Sequence, residues 1–298
     1  MNIVIVGGGA IGLLTANYLL KSDHNVQLIT RTSEQAEFIS TNGILCENED
    51  GIISNNVVAT CYDSFECNKE DLIIVTVKQT QLSVFLSWAK QTINREVPLL
   101  FLQNGMGHID RARAIFDNCL FSGVTTHGAI RISLNEVKHT GVGKILIGGD
   151  GEQRFVLSTL MSRDGNFPIH WSENIDMVMR KKLLVNVVVN PLTAIHEVKN
   201  GMLLTDRKLK VEAYDIFDEA RNTLGFPKET WEEVVDVIRL TADNHSSMLV
   251  DRMANRKTEV DAITGYMLEL ASNIGRSCKK IQEIHKELKK LERKDENE

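Results

Sequence analysis

The stretch Ile3-Val4-Ile5-Val6-Gly7-Gly8-Gly9-Ala10-Ile11-Gly12 decides how this chain folds. Four apolar residues stop at Gly7. Helix formers then run from Ala10 to Leu20, with Ile11, Leu14 and Tyr18 at helical spacing. A G-x-G-x-x-G pattern set between a strand and a helix is far more specific than the pattern alone. Gly7 permits the tight turn, Gly9 lets backbone approach a pyrophosphate, and Gly12 lets helix and strand pack closely. Gly8, Ala10 and Ile11 complete a loop whose free N–H groups and positive helix end suit phosphate.

Outward from this turn the alternation continues. Val26–Thr30, Leu72–Val77 and Pro98–Leu102 read as strands. Ser33–Phe38, with Ser33 as cap and Gly43 as stop, and Gln79–Ile93 read as helices. Nearly all-apolar strands imply a sheet covered on both faces. The pattern therefore predicts an α/β domain with a doubly wound, mainly parallel sheet. Beyond residue 120, Phe121–Ile132, Glu136–His139, Lys144–Ile147 and Ile169–Trp171 read as strands and Gln153–Arg163 as a helix. After Ser172 the signal is helical throughout: Asn174–His196, Lys208–Leu224, Lys228–Asn244 and Glu259–Lys280. The expected division is residues 1–172 as a Rossmann domain and 173–298 as an all-α domain. Ile281, Ile284, Leu288 and Leu291 form a helical apolar stripe, and the charged run from Glu292 to Glu298 is expected to fray.

Composition excludes several classes. The 298 residues are 43% hydrophobic and 25% charged, with a net charge of −6, ordinary for a soluble globular chain of about two domains. A pI near 5.8 argues against nucleic-acid binding. The strongest apolar run, Leu183 to Val189, is interrupted by Asn186 and is too short for a membrane span. Met1-Asn2 runs straight into a short apolar stretch and glycines, without a basic n-region or small-residue cleavage site, so secretion is not expected. The five cysteines are odd in number with no CxxC spacing, so a cytoplasmic chain with reduced thiols is expected. The eight histidines are dispersed and imply no metal site; His108 reads as a helix-start residue.

Thr30-Arg31-Thr32 ends the second strand, where NAD-preferring sites usually carry Asp or Glu. A guanidinium there grips a 2′-phosphate, so NADP(H) is the expected cofactor, with Arg31 its main determinant. Lys78 and Asn104 follow the LIIVTV and LLFL strands, at the strand ends where open α/β sheets place ligands. In the second half, Lys182, Asn186 and Asn190 lie at i, i+4 and i+8, one polar line on a helix that is otherwise largely apolar. An ammonium with reduced hydration is a better proton donor near neutral pH. Pro191 is expected to bend or open that helix. Ser247 and Glu259 reach a ligand only if a turn near Ala254–Lys257 brings the chain back. Thr258 then caps the next helix, with Glu259 in its first turn. Read from spacing alone, this cluster is as well explained by capping as by a site.

These segments, in this order, resemble the ketopantoate reductase (2-dehydropantoate 2-reductase) family. The resemblance spans Asn2 to about Gly265 and rests on the glycine fingerprint, Val77-Lys78-Gln79, Gln103-Asn104-Gly105-Met106-Gly107, Lys182-Leu183-x-x-Asn186-x-x-x-Asn190-Pro191-Leu192-Thr193-Ala194, Asn200-Gly201, Ser246-Ser247-Met248-Leu249-x-Asp251 and Thr258-Glu259-Val260-Asp261. It implies the two-domain architecture of 6-phosphogluconate dehydrogenase-like reductases, with the active site between the domains. It also implies NADPH-dependent reduction of 2-dehydropantoate to (R)-pantoate in pantothenate and coenzyme A biosynthesis. By the same resemblance Lys182 is the proton donor, and Asn186, Asn190, Asn200 and Ser247 bind substrate. Lys78, Asn104 and Ala129 contact cofactor, Asn104 also lies near the substrate, and Glu259 stands at the cofactor–substrate junction. Lys181 is a one-residue alternative to Lys182; the Lys-Leu-x-x-Asn register selects Lys182. The partner is a small anionic 2-oxo acid, with no nucleic acid and no membrane. A homodimer is left open. Alternatives are reduction of another 2-oxo acid, a related hydroxyacid or sugar-phosphate dehydrogenase, and a non-catalytic NADP(H) sensor. The Asn-Pro-Leu-Thr-Ala and Thr-Glu-Val-Asp segments argue against the dehydrogenases.

Overall fold

In a computed structural model, residues 1–22, 24–67, 70–149, 151–162 and 165–295 are described. The chain divides into two compact units. The first comprises Met1–Gln103 and His108–Ile175, the second Asn104–Gly107 and Asp176–Glu298.

The first unit opens with β1 (Asn2–Val6), α1 (Ala10–Lys21), β2 (Asn25–Thr30), α2 (Ser33–Asn42), β3 (Ile44–Asn48), β4 (Gly51–Asn55), β5 (Val58–Cys61) and β6 (Leu72–Val75). There follow α3 (Leu82–Thr92), β7 (Leu99–Phe101), α4 (His108–Arg113), β8 (Leu120–Thr125), β9 (Gly128–Arg131), β10 (Glu136–Gly141), β11 (Ile145–Gly148) and β12 (Ile169–Trp171). The large sheet runs β5-β2-β1-β6-β7-β8-β11-β12. Its first six strands are mutually parallel, and in chain order they read 3-2-1-4-5-6. The order reverses between β1 and β6, the switch point where such sheets bind dinucleotides. Alternate residues of the apolar strands face opposite cores. Ile3, Ile5, Leu72 and Ile74 pack with α1 residues Leu13 and Leu14. Val4, Val6, Ile73 and Val75 pack with Phe85 and Leu86 of α3. Continuous apolar runs are what such a doubly covered sheet requires.

Several sequence expectations are corrected here. Phe121–Ile132 is not one strand. β8 belongs to the large sheet, whereas β9 joins β10, β3 and β4 in a separate four-stranded sheet. Thr32, not Ser33, caps α2, its hydroxyl accepting from the Gln35 N–H at 3.3 Å. Gln79–Gln81 is a 3₁₀ turn ahead of α3. The stretch expected as the helix Gln153–Arg163 is a series of 3₁₀ turns over Gly151–Leu160, and Arg163 lies outside the described residues.

The small sheet is tied to α1 by a buried polar chain. Tyr18 Oη lies 3.0 Å from His139 Nδ1, and His139 Nε2 lies 3.0 Å from His127 Nδ1. His127 Nδ1 also accepts the Gly143 N–H at 3.1 Å. This acceptor role makes His139 Nε2 the donor to His127; with burial keeping both imidazoles neutral, His139 Nδ1 is left to accept from Tyr18. Burial pulls His127 down to about 4, aided by His139, and also lowers His139. A depressed histidine stabilises the fold above the unfolded-state value, and that stabilisation is lost as pH falls. The unit should therefore lose about 2–3 kcal/mol between pH 6.5 and pH 4 through His127. Denaturation curves of wild type and His127→Gln over this range check this. Equal slopes for the two would refute it.

The second unit is helical: α5 (Ile175–His196), α6 (Met202–Thr205), α7 (Arg207–Leu224), α8 (Thr230–Leu240), α9 (Ser247–Met253), a π turn at Asp261–Gly265, α10 (Tyr266–Asn273) and α11 (Lys279–Asp295). Its core joins Leu183, Leu184, Val187 and Val188 of α5 to Ile216 and Phe217 of α7 and Ile281, Ile284 and Leu288 of α11. The helix expected at Lys228–Asn244 is the shorter α8, and α5 continues through Pro191. The expected helix Glu259–Lys280 breaks into the π turn, α10 and the start of α11. Glu292 is buried on α11 rather than frayed; residues 296–298 of the expected tail lie outside the described residues.

Candidate active site

In the first unit the glycine turn is held from beneath by Thr76, directly after β6. Thr76 points its hydroxyl at the Val6 and Gly7 carbonyls, 3.0 and 3.1 Å away. Gly7 has φ +121°, and a Cβ there would meet Thr76 Oγ1 at 2.7 Å. At Gly12 a Cβ would lie 1.8 Å from the Gly7 carbonyl oxygen, so strand and helix meet there with no room for a side chain. Gly9 differs: nothing lies within 4 Å of its ideal Cβ position. Packing does not explain that glycine, but an approaching ligand does. Gly9 is also the cap of α1, with no side-chain cap and no acidic residue in the first turn, which leaves this helix end to an anion.

Arg31 stands exposed just past β2. Lys78, half-buried, follows β6 at the switch point. Ala129 lies on β9, half-buried and paired in register with His139. Two contacts on the loop escaped the sequence reading. Gln35 Nε2 donates to the Gly8 carbonyl at 2.8 Å, and Arg131 Nη1 donates to it at 3.3 Å. Gln35 had no signal of its own. Thr76, a lone hydroxyl in an apolar strand, did. His108 begins α4, buried and bonded to Gln79 at 2.9 Å.

In the second unit three distant segments meet. The Asn104–Gly107 loop lies against the π turn: Gly105, at φ +77°, would place a Cβ 2.6 Å from the Ala262 carbonyl oxygen. Glu259 stands just ahead of that turn, buried, and its Oε2 accepts from Asn104 Nδ2 at 3.3 Å. Thr258 is not the cap expected from the sequence: its hydroxyl accepts the Val260 N–H at 3.2 Å, but Val260 opens the turn with no side-chain cap, so Glu259 precedes the turn instead of lying in its first residues. Lys182 is half-buried on α5. Its withdrawal from water lowers its pKa to about 8, opposed by the Glu259 carboxylate. Lys181 is exposed and paired with Glu233 at 2.8 Å, so it faces away from this chemistry. Single π turns recur at functional sites, and here one seats the Glu259 segment.

Asn186, half-buried, and Asn190, buried, continue the α5 line. Asn200 is buried, with Nδ2 donating to Thr241 at 3.0 Å; its side-chain oxygen has no partner among the described residues. The Asn200 N–H donates to the Asn244 carbonyl at 3.0 Å. Ser247 is exposed at the start of α9. The cap of α9 is Ser246, which accepts the Leu249 N–H and bonds Thr193 of α5 at 2.7 Å. Thr193 and Ser246 thus anchor the neighbours of the expected substrate residues. A serine directly ahead of a helix was the available signal.

Comparison with known proteins adds the decisive finding. The family model described as ketopantoate reductase PanE/ApbA matches residues 3–151, and its C-terminal counterpart matches residues 174–292. This chain belongs to the ketopantoate reductase family. A 2-dehydropantoate 2-reductase of Bacillus subtilis (strain 168) is 38% identical over 98% of both chains. One from Listeria innocua is 32% identical over 98% of this chain and 97% of its own. The crystal structure of a probable 2-dehydropantoate 2-reductase from Bacillus subtilis superposes with a TM-score of 0.87 at 37% identity, covering 98% of this chain and all of that one. The ketopantoate reductase fold is therefore the Rossmann-like sheet followed by helices expected from the sequence. Among the described residues, no helix is long and apolar enough to cross a membrane, and no His, Cys, Asp and Glu group is placed to hold a metal ion.

Proposed function

We propose that this protein reduces 2-dehydropantoate to (R)-pantoate, using NADPH. The observation that carries the reading is Lys182: an ammonium drawn partly out of water on a largely apolar helix, with its pKa lowered to about 8 and the charge of Glu259, itself bonded to Asn104, acting on it. The substrate follows from the names of the relatives, and their similarity over nearly the whole chain supports it. In this reading residues 1–172 serve mainly the cofactor and 173–298 mainly the acid, with Asn104 and Glu259 at the junction of the two.

The glycine turn fits a dinucleotide because Gly9 leaves open the space a side chain would fill. Gly7 to Gly12 and the N-terminus of α1 hold the pyrophosphate, and Arg31 grips the 2′-phosphate. Lys78, Asn104, Ala129 and Glu259 make the remaining cofactor contacts. When bound, NADPH supplies the hydride that reaches the ketone carbon. Lys182 stabilises negative charge growing on the ketone oxygen and transfers its proton there, leaving a neutral amine and a hydroxyl group. Glu259 and Asn104 hold the ammonium in place. Asn186, Asn190, Asn200 and Ser247 bind the carboxylate and hydroxyl oxygens of the acid.

A 340 nm assay with NADPH and ketopantoate tests the reading. Turnover with ketopantoate is expected, and Arg31→Ala should raise the KM for NADPH while leaving that for NADH unchanged. Turnover of a different 2-oxo acid alone would redirect the substrate. Cofactor binding without turnover would overturn the enzymatic reading, and an unchanged NADPH/NADH ratio in the variant would overturn the role of Arg31.

A further inference from the structure

We propose that Glu292, close to the C-terminal end of α11, is a positioning residue for Glu259. One carboxylate oxygen of Glu292 accepts two bonds from Thr258, the backbone N–H at 2.9 Å and the hydroxyl at 2.6 Å. Both residues are buried. A buried carboxylate is costly unless its lone pairs are used, and here they are used on the residue directly before Glu259. The Thr258 hydroxyl in turn accepts the Val260 N–H, directly after it. The other Glu292 oxygen faces Lys289 at 3.4 Å, and Lys289 also pairs with Asp261 at 3.0 Å. His285, a turn earlier on α11, lies 2.8 Å from the Thr264 hydroxyl and 3.9 Å from Asp261. One helix therefore grips the chain on both sides of Glu259.

The grip matters because of what Glu259 touches. Its carboxylate accepts from Asn104, and the Asn104 loop sits on the Ala262 carbonyl of the same turn. Slack at Thr258 would let Glu259 withdraw from both Asn104 and Lys182. Lys182 would then lose the opposite charge that favours its protonated form. The inference rests on the reading of Lys182 as proton donor.

The test compares Glu292→Ala, Glu292→Gln and Thr258→Val in the full-length protein. It measures kcat, the pH profile of kcat/KM and the thermal midpoint. Glu292→Ala should lower kcat about 10- to 100-fold, the scale of a misplacement near 1 Å, and move the alkaline limb of kcat/KM to lower pH. Glu292→Gln keeps an acceptor for Thr258 and should retain most activity and the wild-type limb. Thr258→Val conserves side-chain volume and carries the test if the alanine variant does not fold; it should move the limb in the same direction. A lower thermal midpoint with unmoved kcat and limb would make Glu292 merely structural and overturn the inference alone. A wild-type profile with no alkaline limb would overturn the Lys182 reading and this inference together.

Discussion

Lys182→Ala is expected to lower kcat by about 10²- to 10⁴-fold, the range for loss of a positioned proton donor. The pH profile should identify the group. A donor role for Lys182 requires its protonated form, and burial lowers its pKa to about 8. Wild-type kcat/KM should therefore be flat below that value and fall tenfold per unit above it. Lys182→Arg separates charge from proton transfer. Guanidinium keeps the positive charge but does not release a proton in this range. It should restore little activity and remove the alkaline limb. If Lys182→Arg were nearly as active as wild type, Lys182 would act as a fixed charge only.

The same lysine should cost stability. Its pKa is lowered in the folded state, so the unfolded chain binds the proton more tightly. Stability contributed at this site is then smallest below about pH 8 and rises as pH climbs toward the unfolded value. Lys182→Met, which removes the charge but keeps the apolar stem, should stabilise the fold at neutral pH by about 1–3 kcal/mol while abolishing turnover. A variant both inactive and strongly destabilised would argue that Lys182 serves packing instead.

How much of this was legible depends on the range of the interactions. β1, β6 and β7 were readable because a doubly covered strand must be apolar at every position, and that signal is local. The small sheet was not. Ile44-Leu45-Cys46-Glu47-Asn48 is short and mixed, and as β3 it pairs with β10 some ninety residues onward. Only tertiary pairing makes it a strand. Thr126 and His127 likewise sit in an apolar-looking run, yet the chain changes sheets there. Lys182, Asn186 and Asn190 were visible as a line because helical spacing is also local. The approach of Glu259 to Lys182 and its bond to Asn104 were not, since the Asn104–Glu259 bond spans 155 positions. Only the resemblance to a family placed those residues together. Glu292 looked like part of a solvated charge run, because composition cannot distinguish a carboxylate facing water from one facing Thr258.

The glycine turn offers the sharpest separation between folding and binding, because two glycines three positions apart, Gly9 and Gly12, have opposite surroundings. Gly12→Ala should destabilise the first unit by about 3 kcal/mol or more, since overpacking against rigid backbone has no cheap relief. Its Cβ would sit 1.8 Å from the Gly7 carbonyl oxygen and 2.7 Å from the Thr76 hydroxyl, so β1, α1 and β6 would all have to move. The thermal midpoint should fall by roughly 10 °C. Gly9→Ala should leave it unchanged. Gly9 has φ −85° and ψ −174°, a conformation open to alanine, with nothing within 4 Å of the added carbon. The added methyl would instead stand where backbone must approach a pyrophosphate. NADPH affinity, measured by fluorescence titration without substrate, should drop about tenfold or more, since displacing a charge-assisted bond costs about 1.5–3 kcal/mol. Equal affinity in Gly9→Ala would mean that the open space above Gly9 is not the phosphate site. A fallen midpoint there would mean that it is not open.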